Sequence, residues 1–261
     1  IHASGYVLRD NQWQPLESLQ SPIAYAAIAS DQGRLFAAGG TNGSALRTSL
    51  LSLNSNNGNT PIEIDSPQPR VYAGAALIDG AFFLVGGTTA ISPLNPCSSL
   101  RRFDQGNWSE ISHLPESALI NPAVCSWLGD IFVFGGGMAK ADGLQNTDSV
   151  FSFDPKDQTW TREAELPAPT RGAVALPIPK IGILIIGGYF ETPAFASQTL
   201  LFIPERNEFV SLGDLPIGLL LPAVVATEKW IYVFGGEDAP KHRSNRVYRA
   251  DLSRLSTNRN E

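Results

Sequence analysis

Two arginines sit at one count from a repeated landmark. Arg70 and Arg171 each lie 16 residues before the first glycine of a Gly-Gly pair, Gly86-Gly87 and Gly187-Gly188. The same count from the other pairs reaches Ile23, Leu119 and Leu219. Two guanidinium groups at one station of a repeat could hold a carboxylate through paired N–H donors, or could cap strand ends that face water. After the Gly-Gly pairs come the loops best placed to meet a ligand. Tyr189, Phe190 and Phe195 follow Gly187-Gly188, and Met138, Lys140 and Asp142 occupy the longest such loop. Aromatic rings beside a basic opening suit recognition of a sugar or a peptide, or fold back onto their own sheet.

Other chemistries find no support in the sequence. His2, His113 and His242 are the three histidines, and each falls in a different part of the chain. We therefore expect neither a metal nor a cofactor. There is no Gly-x-Ser-x-Gly nucleophile turn, no phosphate-cradling glycine loop and no Cys-x-x-Cys. Cys97 and Cys125 could pair or remain free thiols.

The elements that must position these residues are set by the landmark itself. Leu35-Phe36-Ala37-Ala38-Gly39-Gly40 returns as Phe82 to Gly87, Ile131 to Gly136, Ile183 to Gly188 and Ile231 to Gly236. A period near 50 residues marks a repeat architecture. Each copy follows a second apolar run, with short turns such as Asp79-Gly80 and Gly129-Asp130 between them, the signature of a β-hairpin. Two further short strands complete each repeat, so the unit is a four-stranded antiparallel meander and the class is all-β. The run before each diglycine is apolar at every position, as a strand is when both its faces are covered.

The order of strand, diglycine, strand and aromatic residue resembles the kelch repeat. Phe153 and Trp160 form the spaced aromatic pair of that motif, and Trp13 and Trp108 hold the same Trp place. The resemblance implies a kelch-type β-propeller of five blades, with six as the alternative count. It implies a single domain over residues 1–261. Residues 5–17 read as a third and fourth strand without a first and second, while residues 219–252 supply a first, second and third. The two ends are expected to complete one blade, and the residues after Leu252 to fray. Kelch propellers serve many roles, so the resemblance implies a binding module at the channel mouth, for a small carbohydrate-like ligand or a protein segment.

A second resemblance is local. Gly235-Gly236-Glu237, with Arg243 six residues beyond Glu237, is similar to a segment of the bacterial N-acetylneuraminate epimerases, the sialic acid mutarotases. It implies Glu237 as general acid/base for ring opening and Arg243, with Arg70 and Arg171, as the clamp for the substrate carboxylate. Arg47 stands at the offset of Arg243 in the first repeat, with Thr41 in place of Glu237. A periplasmic or secreted location goes with this alternative.

The net charge is -6 over 261 residues, so no basic field is present to hold nucleic acid or an anionic membrane. No apolar run reaches the roughly 18 residues of a membrane-spanning helix. We expect a monomer.

Overall fold

The structure, a computed structural model, describes residues 2–9, 12–31, 33–54, 62–66, 68–191 and 195–257. It divides into two compact units, Ile1–Ile120 and Asn121–Glu261.

The first unit holds two four-stranded antiparallel meanders. Sheet one runs Ala27–Asp31, Arg34–Ala38, Ser49–Asn54 and Ile62–Asp65; sheet two runs Gly74–Ile78, Ala81–Val85, Ser99–Asp104 and Asn107–His113. The second unit holds sheet three (Ala123–Trp127, Asp130–Phe134, Val150–Asp154, Thr159–Arg162) and sheet four (Val174–Ile178, Gly182–Ile186, Gln198–Ile203, Glu208–Asp214). Sheet five has three strands, Ala223–Ala226, Trp230–Phe234 and Val247–Asp251. Inside each unit the first strands of successive sheets lie beside one another.

The cores explain the uninterrupted apolar strands. In sheet four Ile183 and Ile185 pack with Phe132, Phe134 and Val150 of sheet three. Leu184 and Ile186 turn the other way, onto Ile231 and Val233 of sheet five. Successive side chains of a strand point to opposite faces, so a strand covered on both sides carries no polar position. Sheets one and two share a core of Phe36, Leu50, Phe82, Leu84 and Phe103. The spaced aromatic pair stacks across neighbouring strands, Phe153 against Trp160 at 4.8 Å and Phe103 against Trp108 at 5.3 Å. Cys125 is buried in the core between sheets three and four, where burial pushes its thiol far up; it and Cys97 are both free.

The diglycines act as latches. The N–H of the second glycine donates to a carbonyl oxygen in the segment leading to the next sheet: Gly40 to Arg70 (2.7 Å), Gly87 to Leu119 (2.7 Å), Gly136 to Thr170 (2.9 Å) and Gly188 to Leu219 (2.8 Å). The first glycine lies at φ +66, +63, +55 and +68 in those four pairs, and a Cβ there would overlap the same carbonyl oxygen. Positive φ and close approach are thus both required, which leaves glycine as the residue that fits.

Two expectations are corrected. The loops after the diglycines are small ordered hairpins in sheets two, three and five: Thr88–Ile91 with Leu94–Pro96, Gly137–Lys140 with Gly143–Asn146, and Glu237–Ala239 with His242–Arg243. Residues Arg254–Thr257 form one helical turn. Tyr6–Arg9 pairs with Gln12–Pro15 in a two-stranded sheet, and sheet five has no fourth strand among the described residues. The polar turn after Asn54 lies outside the described residues.

Candidate functional site

Sheets one, two, four and five offer the same small frame at their diglycine end. The residue after the second glycine pairs with a residue in the lead-in to its own first strand and, across the loop, with a residue before the third strand. In sheet one these are Thr41, Ala24 and Leu46; in sheet four Tyr189, Arg171 and Phe195; in sheet five Glu237, Leu220 and Arg243. The frame is backbone and constant; the side chains on it differ.

This frame shows that Arg70 and Arg171 do not occupy one station. The carbonyl that receives the latch belongs to Arg70 before sheet two but to Thr170 before sheet four. Arg171 instead takes the place of Val71, which pairs with Thr88 as Arg171 does with Tyr189. The cause is turn length. Ile178 pairs with Gly182 across three residues, whereas Ile78 pairs with Ala81, and Trp127 with Asp130, across two. A fixed count back from the glycines therefore stops one residue short in sheet four. Arg47 and Arg243 are displaced likewise, since Arg47 donates its N–H to Gly40 O as Ser244 does to Gly236 O.

Arg70 is sealed, at 2% exposure. Its Nη1 donates to Gly86 O (2.7 Å) and to Ser99 Oγ (3.3 Å), and its Nη2 to Ser99 Oγ (3.2 Å). Burial is the main cause that lowers its pKa. Arg47 is half-buried and donates from Nε and Nη2 to Ser49 Oγ.

Arg171 is half-buried on a cleft wall. It lines a cleft of about 550 Å³ in the second unit with Lys140, Asp142, Gln145, Tyr189 and Glu191. Its guanidinium stacks 4.5 Å above the Tyr189 ring, and its Nη1 donates to Asn146 Oδ1 at 2.5 Å. Asn146 also donates its backbone N–H to Glu191 Oε1 (2.6 Å) and its Nδ2 to Tyr189 O (2.7 Å). Arg171 Nε and Nη2 make no hydrogen bond to a described residue. Burial lowers the Arg171 pKa, and Tyr189 and Glu191 oppose that. The result is a guanidinium held by a ring and an amide, with donors left for a ligand. Lys140 and Asp142, singled out in the sequence, stand on this cleft; Asn146, which holds it together, carried no sequence signal. Tyr189 and Phe195 pack edge to face on each other at 5.6 Å, and Phe190 is half-buried and not part of the lining.

Glu237 and Arg243 face each other across their hairpin. Arg243 Nη1 lies 2.9 Å from Glu237 Oε1, which also accepts the Lys241 N–H at 2.6 Å. Beside them Asp238 is bonded to His242, which holds the Asp238 carboxyl below its usual range. Neither Glu237 nor Arg243 lines the cleft of Arg171. Among the described residues there is no group of three or more His, Cys, Asp or Glu that could hold a metal ion.

Comparison with known proteins fits this frame. The Kelch motif family model matches residues 119–167. Kelch-like protein 35 of Mus musculus is 27% identical over 95% of this chain, and beta-scruin of Limulus polyphemus 25% identical over 92%. The solved structure of YjhT superposes with a TM-score of 0.79 at 15% identity, covering 97% of this chain and 90% of that one. The fold is a β-propeller, and the chain carries a Kelch motif. The propeller chain spans 41% of the length of Kelch-like protein 35 and 27% of beta-scruin. The part matched by the family model contains Gly135-Gly136, whose latch closes on Thr170 just beyond it, and the Asn146 that supports Arg171.

Proposed function

We propose that this kelch propeller is an interaction module that takes a protein segment through a carboxylate, in the cleft of sheets three and four. The observation that carries the reading is Arg171: stacked on Tyr189, tied to Asn146 and still offering two donor nitrogens to the cleft. A guanidinium fixed in this way binds a planar carboxylate with little loss of its own freedom. Lys140 adds positive charge at the same opening. Similarity to kelch-like proteins supports a protein segment over a free sugar. The test is a peptide array in which a central Glu or Asp is exchanged for Gln or Asn. Binding peptides should lose about tenfold in affinity on that exchange and on Arg171→Ala, as expected for one charge-assisted pair. Peptides that bind equally well with Gln and with the Ala variant would remove the reading.

A second reading, mutarotation of N-acetylneuraminate, is favoured by one observation, the Glu237–Arg243 pair at 2.9 Å. Its test is direct. Exchange between the sugar's anomers is followed by NMR with and without protein, and an unchanged rate ends this alternative.

A further inference from the structure

Away from the cleft, sheet two carries a charge imbalance. Arg101, on its third strand, pairs with Leu84 and Glu110 and is 8% exposed. Its Nε and Nη1, and the Nε of Arg70, are buried and have no hydrogen-bond partner. Arg70 reaches Ser99, two residues before Arg101 on the third strand, and lies within electrostatic range of Cys97, Arg101 and Glu110. Glu110 is the carboxylate at hand, yet its Oε2 stands 3.6 Å from Arg101 Nε. It is 42% exposed and shares its other oxygen with His113 at 3.3 Å. Two buried cations thus face one half-exposed anion. Buried guanidinium groups are ordinarily paired, and unpartnered buried donors point to an ion or a water.

We propose that the first unit binds a small monovalent anion, of the chloride class, against Arg70 Nε and Arg101 Nε and Nη1. One negative charge completes the balance that Glu110 leaves open. The orphaned nitrogens are out of reach of solvent, so the occupant is small enough to sit within the packing, which favours a single-atom anion over phosphate. Because the donors belong to the lead-in and the third strand of one sheet, the ion ties those two parts together. This site is independent of the Arg171 cleft and of what that cleft binds.

Bromide in place of chloride tests the site in two ways. Crystals of the whole chain grown in bromide should show an anomalous peak within hydrogen-bonding distance of Arg101 Nε or Nη1. In solution, Tm is compared in sodium bromide or chloride and in sodium fluoride at equal ionic strength. A tenfold excess of anion over its dissociation constant should raise Tm by about 3 °C. That rise runs against the general tendency of excluded, strongly hydrated salts to stabilise. Arg101→Met should abolish the difference between salts; if that variant does not fold, the wild-type crystal decides. No bromide peak, with equal Tm in the salts, would overturn the proposal and assign the orphaned donors to water. A salt difference that survives in Arg101→Met would overturn it as well.

Discussion

Arg70 in the first unit and Arg171 in the second stand at the same count from their glycines, but their surroundings differ in every respect. Arg70 is enclosed, and two of its nitrogens are bonded to Gly86 O and Ser99 Oγ. Arg171 lies on a cleft wall, with one face on Tyr189 and one nitrogen on Asn146. The difference teaches that a long cation in this repeat has two outlets one residue apart. From the position that receives the latch the side chain turns into its own sheet. From the next position it reaches the cleft.

The largest effect expected from this contrast is on stability. Arg70→Ala leaves a cavity and strips Gly86 O and Ser99 of their donor, a loss of about 4 kcal/mol. Arg171→Ala removes one half-buried stacking contact and one hydrogen bond, about 1 kcal/mol. Chemical denaturation of both variants measures the gap. Equal losses would mean that Arg171 is as structural as Arg70.

Next in size is the latch that fixes which position is which. Gly135→Ala places a methyl group on Thr170 O at φ +55 and should cost about 3 kcal/mol. Gly235 has the same sign of φ, +58, but a Cβ there would meet only Ser244 O at 3.3 Å. Gly235→Ala should therefore cost only the conformational penalty, about 1 kcal/mol. If the two variants unfold at the same midpoint, the latch contributes nothing beyond backbone strain.

A smaller effect falls on recognition. Asn146→Ala frees Arg171 from its amide, and the peptide affinity should drop about fivefold while Arg171→Lys, which keeps charge but not the stacked plane, drops about tenfold. Fluorescence anisotropy with a Glu-containing peptide reads both. An Arg171→Lys variant that binds like the parent would show that charge alone suffices.

Much of this frame could be read from the sequence because its causes are local. The apolar run before each diglycine reflects cover on two faces, and Gly39 and Gly135 announce a backbone that tolerates no Cβ. The register of Arg171 could not be read so directly, since it depends on a turn of three residues at Pro179, Lys180 and Ile181. A hint was present: the step from Gly135 to Gly187 is 52 residues, the longest of the four. That a lead-in arginine would be sealed at Arg70 and reach the cleft at Arg171 follows from that one-residue register, which no fixed spacing encodes. Asn146 lies 25 residues before Arg171; only pairing of the third sheet's loop with the fourth sheet's frame brings them together.

The smallest expected effect concerns Arg243, a third arginine at the diglycine end of its sheet and the one engaged by a carboxylate of its own hairpin. Its neighbour Asp238 is held in the ionised form chiefly by the hydrogen bond from His242. A carboxyl whose folded pKa lies below its unfolded value contributes its stabilisation above the unfolded value, near 4, and loses it as pH falls through the lower folded value. The amide of Lys241, bonded to Glu237, reports whether the hairpin is closed. In the parent its protection from exchange, relative to an unstructured amide at the same pH, should fall as the pH drops below about 4. In Asp238→Asn that acid-side step should shrink, with the global unfolding midpoint unchanged because the pair is on the surface. If the step keeps its size in the Asn variant, the closing of this hairpin is due to Glu237 and Arg243 alone. The sheet-five arginine would then be fixed by its own ion pair, as Arg70 is by backbone and Ser99, and of the three Arg171 would be the one whose remaining donors face a cleft.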